Sequence, residues 1–231
     1  MTRSFQRERD HMVQVQIAGR GIRDERVLRA MRSVPREHFV DEHLAPFAYD
    51  DAPLPIGAGQ TISQPFMVAC MVEAAAIGPG DAVLEVGTGS GYAAAVLAEI
   101  AASVYSIERL EALTQAARER LDALAYANIH LRTGDGTLGW PEAAPFDAIL
   151  VAAAGPELPT PLKQQLRVGG RLLMPLDFGS QGAAQQLLRV VRRGEDEFEQ
   201  EVLGGVAFVP LIGRHGWAED EHPDDAAGTR S

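Results

Sequence analysis

From Asp81 onward, short apolar runs alternate with stretches of helical period. "AVLEVG" (82–87) is a brief apolar run ending in glycine, and "YAAAVLAEIA" behind it has the spacing of a helix. "SVYSIE" (103–108) predicts a second strand and residues 109–125 a second helix. "IHLRTGD" (129–135) and "FDAILVAAA" (146–154) repeat the strand pattern, and "TPLKQQL" predicts a helix ahead of "GGRLLMPL". Strands that alternate with helices imply βαβ units and a mostly parallel sheet, because parallel neighbours need a crossover between them. "QQLLRVVRRGEDEFEQEVLGGVAFVPL" instead alternates apolar and polar residues about a Gly-Glu-Asp turn, the pattern of an antiparallel hairpin on the sheet edge.

Upstream, residues 5–19 and 24–33 predict two short helices split by Gly19 and Gly21, the second with an apolar stripe of Val27, Leu28 and Met31. Pro35 breaks this pattern inside "SVPREHFV", and a polar, Pro/Gly-rich segment follows from about 41 to 63. After Pro65, "FMVACMVEAAAI" predicts a helix that stops at Gly78-Pro79-Gly80. Past residue 218 the chain carries Glu219, Asp220, Glu221, Asp224 and Asp225 with few apolar residues, and reads as a disordered acidic tail. His215 and Trp217 read as the start of that poorly ordered stretch.

Composition narrows the partners. The 231 residues are 46% hydrophobic and 23% charged, enough for one full core with a small appendage. A formal net charge of −11, from 32 acidic against 21 basic residues, argues against a phosphate backbone as ligand, even with Arg192 and Arg193 adjacent. Cys70 is alone, has no disulfide partner in the chain, and reads as a small core residue. "MTRSFQRERDHMVQVQ" lacks the apolar core of a signal peptide, and no run approaches the roughly 20 apolar residues of a membrane helix. A soluble, cytoplasmic monomer with no nucleic-acid or membrane partner and no metal is expected.

The candidate chemistry begins at "LEVGTGSGY" (84–92), where Gly87, Gly89 and Gly91 stand between the first strand of the alternating region and a helix. Glycines there permit a tight turn and close approach of backbone to a ligand. The dinucleotide fingerprint places its third glycine where this chain has Tyr92, so the ligand need not be a dinucleotide. Glu85 is an awkward acid for a buried run, and makes sense facing bound polar groups or turn amides. Glu108 ends the next strand, where an acid can accept both hydroxyls of a ribose. Asp135 lies between glycines in "TGDGT" on the same carboxyl edge, as a turn residue or a ligand. Three acids with few basic residues favour a nucleoside without phosphates, and the cationic S-adenosylmethionine fits better than NAD or ATP.

"LEVGTGSGY", Glu108, "GDG" and "FDAILVAAAGPELP" ahead of "GGRLLMP" together resemble class I S-adenosylmethionine-dependent methyltransferases. "LPIGAGQTISQP" with "GWPEAAPFDAILV" resembles, more narrowly, the protein-L-isoaspartate O-methyltransferases, and "MVQVQIAGRGIRDERVLRAMRSVPREHFV" matches that family's opening; the resemblance spans roughly residues 10 to 212. It implies a Rossmann-like, doubly wound α/β fold with an antiparallel C-terminal hairpin and an N-terminal helical extension. The extension and a covering loop would take residues 1–63, the Rossmann-like domain 64–217, and the tail 218–231. It further implies that Thr61, Ile62, Ser63, Glu85, Gly87, Thr88, Gly89, Glu108, Arg109, Gly134, Asp135 and Gly136 hold S-adenosylmethionine, which leaves as S-adenosylhomocysteine. Ser63, Ala153 and Ala154 would meet isoaspartyl proteins and peptides, with Ser63 orienting the acceptor.

That role suits the chemistry. An isoaspartyl carboxylate is already anionic and needs orientation rather than a strong base. Thr61 or Ser63 could instead merely cap the helix after Pro65. Ala152-Ala153-Ala154-Gly155-Pro156 offers no side-chain acceptor of the Asn/Asp-Pro-Pro-aromatic kind that serves nucleic-acid amines, and Asp147 reads as structural. "VPLIGRHGW" lacks the Thr and Gln that animal members of the family place near the substrate, so half of the peptide site has no assigned residues. The competing readings are a methyltransferase for another small carboxylate, or a cofactor-binding adaptor without turnover.

Overall fold

The computed structural model describes residues 5–177 and 185–219. Its N-terminal extension is helical in a less regular way than two helices. Helix α1 (Gln6–His11) runs on into a π-helical turn, Met12–Ile17, and a 3₁₀ turn, Ala18–Arg20. The widened turn buries Met12, Val13 and Ile17 on one side. Helix α2 (Glu25–Ser33) starts at Asp24, whose carboxylate accepts from the Arg26 amide at 2.8 Å, and buries Val27, Leu28, Ala30 and Met31. The segment expected as loop before residue 63 contains a 3₁₀ helix, Glu42–Phe47, and a small hairpin of β1 (Leu54–Gly57) and β2 (Gln60–Ile62). Three or four residues per strand are too few for alternation to show, and the turn at Ala58 and Gly59 has φ of 51° and 70°.

Helix α3 (Pro65–Ala75) follows, and its Glu73 accepts from the amides of Arg23 (2.6 Å) and Asp24 (2.7 Å), fastening the extension to the body. The main sheet then forms from β3 (Ala82–Val86), β4 (Ser103–Glu108), β5 (Ile129–Thr133), β6 (Phe146–Val151), β7 (Leu166–Leu176), β8 (Gln185–Arg192) and β9 (Phe198–Val206) in the spatial order β5-β4-β3-β6-β7-β8-β9. The pairs up to β6–β7 are parallel, while β7–β8 and β8–β9 are antiparallel. Crossover helices α4 (Tyr92–Ala98), α5 (Glu111–Ala123) and α6 (Thr160–Gln164) join the parallel strands. β7 starts at Leu166, earlier than the apolar run suggests, because Leu166 already pairs with Phe146.

All six residues of β6 are buried, as a central parallel strand covered on both faces requires. Val83, Val104, Ala148 and Leu173 pack into one core with α2, α3 and α4, while Leu84, Val86, Ile149 and Leu172 point into a second core with Leu162 of α6. Asp147 is structural: it accepts from the Ala82 amide (2.7 Å) and pairs with Arg167 (2.5 Å) at the amino end of the sheet. Arg192 donates to the carbonyls of Gln164, Leu166, Gly194 and Glu195, and Arg193 pairs with Glu199, so this arginine pair serves the hairpin.

The chain runs β3→β4→β5 outward and returns to place β6 on the other side of β3. Connections leave β3 and β6 in opposite directions, and a crevice opens at their carboxyl ends. Among the described residues no helix is long and apolar enough to cross a membrane. The tail expected to be disordered lies, from residue 220 on, outside the described residues. Replacing Asp24 by alanine removes the α2 cap and is expected to lower stability by about 0.5–2 kcal/mol in urea unfolding, with cofactor affinity retained.

Candidate active site

The crevice is built first by the turn after β3. Gly89 has φ of 52° and Gly87 has φ of 96°. A Cβ on Gly89 would stand 3.2 Å from Ile56 Cδ1, so the β1–β2 hairpin rests directly on the turn. The Gly89 amide donates to Glu108 Oε2 at 2.9 Å, and the Leu110 amide donates to Oε1 at 3.0 Å. Glu108 is therefore fixed at the end of β4 by one amide from each side, only 6% exposed. Gly136 closes the adjacent wall, where a Cβ would lie 2.4 Å from Val86 Cγ1, too near for any side chain.

These groups line a cavity that is partly open to solvent. Gly87, Thr88 and Gly89 form its floor, Glu108 and Arg109 one end, and Gly136 and Ala153 further wall; Thr61, Ile62 and Ser63 cover it from the hairpin side. Beside it an open groove runs past Pro53, Phe66, Met67 and residues 205–208, and Thr61, Ser63 and Ala152 line both spaces. Neither Thr61 nor Ser63 caps α3. Its N-cap is Gln64, which makes no side-chain cap bond, and the Phe66 amide reaches Asp51 Oδ1 at 3.4 Å instead.

Four of the expected site residues lie off the cavity wall. Ala154 is fully buried, its amide donating to Val209 O (2.8 Å) and its carbonyl accepting from Leu211 N (2.8 Å) and Trp217 Nε1 (3.1 Å). Ala152 takes the place at the groove. Gly134 and Asp135 stand behind Gly136. The Asp135 carboxylate accepts from the Thr137 amide (2.9 Å), the Thr137 hydroxyl (2.7 Å) and the Arg214 amide (2.8 Å), so in this structure it serves as a turn and strap anchor. Glu85 sits beneath the glycine turn, 2% exposed. Its Oε2 accepts from the Ser106 hydroxyl (2.5 Å), which leaves Thr88 to donate to Ser106 (2.6 Å), and its Oε1 has no partner among the described residues. Burial pushes the Glu85 carboxyl up to about 8, Ser106 opposes this, and the nearby Glu108 charge adds to it.

Val209, Pro210, Leu211 and Ile212 form a further wall, one that no sequence signal marks. The segment behind them is ordered, contrary to the expected start of a loose tail. The Trp217 amide donates to Leu211 O (2.8 Å), the His215 amide to Thr137 Oγ1 (3.1 Å), and Arg109 pairs with Glu219 at 3.1 Å. An apolar strand end and a lone tryptophan carry no periodicity, so only the folded chain shows that they strap the carboxyl edge. Val68, Tyr92, Ala93 and Ile107 also line the cavity and read in the sequence only as core.

A doubly wound sheet with a glycine turn at the topological switch point and an acid ending the neighbouring strand defines a Rossmann-like domain suited to a nucleoside-bearing ligand. The protein-L-isoaspartate(D-aspartate) O-methyltransferase family model matches residues 7–216, and the chain belongs to that family. A protein-L-isoaspartate O-methyltransferase of Brucella anthropi is 54% identical over 217 residues, covering 94% of this chain and 99% of that protein. One from Methylorubrum extorquens is 58% identical over 211 residues, 91% of each chain. Among solved structures, a protein-L-isoaspartate O-methyltransferase superposes with a TM-score of 0.82 at 26% identity over 90% of this chain and 67% of that one. The crystal structure of a putative protein-L-isoaspartate O-methyltransferase from Plasmodium falciparum in complex with S-adenosyl-L-homocysteine gives 0.77 at 26% identity over 88% of this chain and 98% of that one.

The buried Glu85 carries a pH signature. Its folded pKa of about 8 lies above its ordinary value of 4.5, so the folded state binds the proton more tightly than the unfolded chain. Its stabilising contribution is complete below pH 4.5 and is lost as the pH rises towards 8. Glu85→Gln, which cannot ionise, is expected to gain in Tm relative to the cofactor-free parent as the pH is raised from 5 to 8. A constant Tm difference across that window, by scanning calorimetry, would show that Glu85 ionises freely in the folded protein.

Proposed function

We propose that this chain transfers the methyl group of S-adenosyl-L-methionine to the α-carboxylate of L-isoaspartyl residues in damaged proteins and peptides, releasing S-adenosyl-L-homocysteine. The family membership supports the reaction. The observation that carries the assignment of parts is Ser63, which lines both the cavity and the groove beside it. The cavity suits the cofactor by shape and charge: a glycine floor open to close approach, apolar walls at Val68, Val86 and Ile107, and Glu108 held ready for the ribose hydroxyls. Arg109, the one basic residue on its wall among the described residues, is paired with Glu219 at 3.1 Å. The bound cofactor supplies an electrophilic methyl group on a cationic sulfur.

The chain's own residues orient and exclude. A carboxylate oxygen of the substrate forms the new bond to the methyl carbon while the carbon–sulfur bond breaks, and no proton moves. Ser63 donates its hydroxyl to the incoming carboxylate and holds one oxygen towards the cavity, where a lysine would bind the ground-state anion too tightly. Ala152 and Ala153 leave room for a peptide backbone at the junction. The damaged polypeptide lies in the groove, and a monomer acting in the cytoplasm fits the single cysteine and the acidic charge.

Two variants test the roles, with paired peptides that differ only in aspartyl or isoaspartyl linkage as substrates. Glu108→Ala is expected to weaken cofactor binding by about 1.5–3 kcal/mol per charged hydrogen bond lost, and Glu108→Gln by less. Unchanged affinity in calorimetry would refute the ribose assignment. Ser63→Ala is expected to keep cofactor affinity and lower kcat/KM for the isoaspartyl peptide roughly ten- to a hundredfold, about 1.4–2.7 kcal/mol, with Ser63→Thr between the two. A methylated serine trapped in the parent, or equal turnover of both peptides, would overturn the reading.

A further inference from the structure

Arg36 is the largest fully buried side chain among the described residues, 0% exposed, at the start of the 3₁₀ turn Arg36–Phe39. Its Nε donates to the Ala48 carbonyl at 2.7 Å and its Nη2 to the Ser63 carbonyl at 2.8 Å. The guanidinium carbon lies 4.8 Å from the centre of the Tyr92 ring, itself part of the cavity wall. Nη1 has no hydrogen-bond partner, and no carboxylate forms an ion pair with Arg36 among the described residues. Burial lowers its pKa from the ordinary guanidinium value, yet an arginine remains charged at physiological pH.

A buried cation without a bound acid is a poor device for stability, because a well-packed apolar side chain avoids the desolvation cost. What only this side chain supplies is a rigid planar fork, whose donors leave in fixed directions towards two separate segments. The Ser63 carbonyl needs such a donor. The first turn of α3 takes the Gln64 carbonyl, which accepts from Met67 (3.0 Å) and Val68 (3.2 Å), so Ser63 O lies outside the helical ladder. Its peptide plane is fixed from outside, by Arg36.

We propose that Arg36 is a positioning residue for the reaction: its buried guanidinium fixes the Ser63 peptide, and so the direction in which the Ser63 side chain faces the acceptor. The inference rests on the role given to Ser63 above. It ties the N-terminal extension to the acceptor side of the site, not to the floor that carries the cofactor.

The test uses the full-length protein with Arg36→Gln, which keeps one shorter donor, and Arg36→Lys, which keeps the charge without the fork. Both are expected to bind S-adenosyl-L-homocysteine within about twofold of the parent, while kcat/KM for an isoaspartyl peptide falls roughly tenfold or more, chiefly in kcat, with Lys partly restoring it. The double variant Ser63→Ala with Arg36→Gln should lose no more than the worse single variant. Amide exchange in residues 60–64 should quicken while β3, β4 and β6 keep their protection. Parent-like kcat/KM in Arg36→Gln, or losses that add in the double variant, overturn the proposal. Loss of cofactor affinity with faster exchange across the whole sheet, or failure of both variants to fold, also overturns it by making Arg36 a scaffold residue. If Ser63→Ala alone is silent, the assignment of Ser63 fails, and exchange at 60–64 still decides whether Arg36 holds the loop.

Discussion

The Gly89 amide donating to the Glu108 carboxylate is the contact from which the carboxyl edge of this sheet is organised. Parallel strands β3 and β4 end side by side, and the chain leaving β3 must turn within a few residues to enter α4. A backbone in the left-handed region makes that turn, and its amide then points towards the neighbouring strand end. An acid there satisfies the amide and is in turn oriented by it, because the Leu110 amide occupies the other oxygen. Turn and acid are thus one unit. A tight turn without Glu108 would leave a donor unanswered, and a free Glu108 would rotate out to solvent.

The hairpin is stacked on that unit. Ile56 packs against Gly89, and Ile62 is buried beside it, so the position of Ser63 depends on the turn below as much as on its own segment. Asp51 supplies the cap that α3 cannot find locally and also accepts from the Gln64 side chain at 2.8 Å. Behind these, Arg9 donates to the Tyr49 hydroxyl (2.8 Å) and pairs with Glu37 (3.2 Å), and Tyr49 donates to Glu37. Arg20 of the N-terminal extension pairs with Asp51 at 2.5 Å, so polar contacts tie the extension to the segment ahead of α3.

Charge divides the region in a similar way. Glu85 is driven towards its neutral form by burial, whereas the Glu108 carboxylate accepts from two backbone amides. One acid supports the floor from below as a hydrogen-bonded core group, and the other faces the cavity. Of the two carboxylates, only Glu108 lines the cavity.

The sequence by itself determined the alternation of strands and helices, and with it the parallel sheet, the glycine turn at a strand end and the acid ending the next strand. These follow from local rules: period, breaker residues and the steric freedom of glycine. The hexapeptide from Gln60 to Pro65 was legible as a candidate cover but not as part of a hairpin, because strands of three residues are held by pairing and packing and leave no period of their own. Other assignments waited on the folded chain. Asp135 and Ala154 stand at the right edge in sequence, yet the returning C-terminal segment takes their polar atoms, as Arg214 and Trp217 show. The wall from Val209 to Ile212 and the grip of Arg36 on the Ser63 carbonyl likewise join residues far apart along the chain, by contacts that no local pattern encodes. Backbone preference acts over a few residues, whereas the burial and orientation of a polar group depend on whichever distant segment arrives beside it.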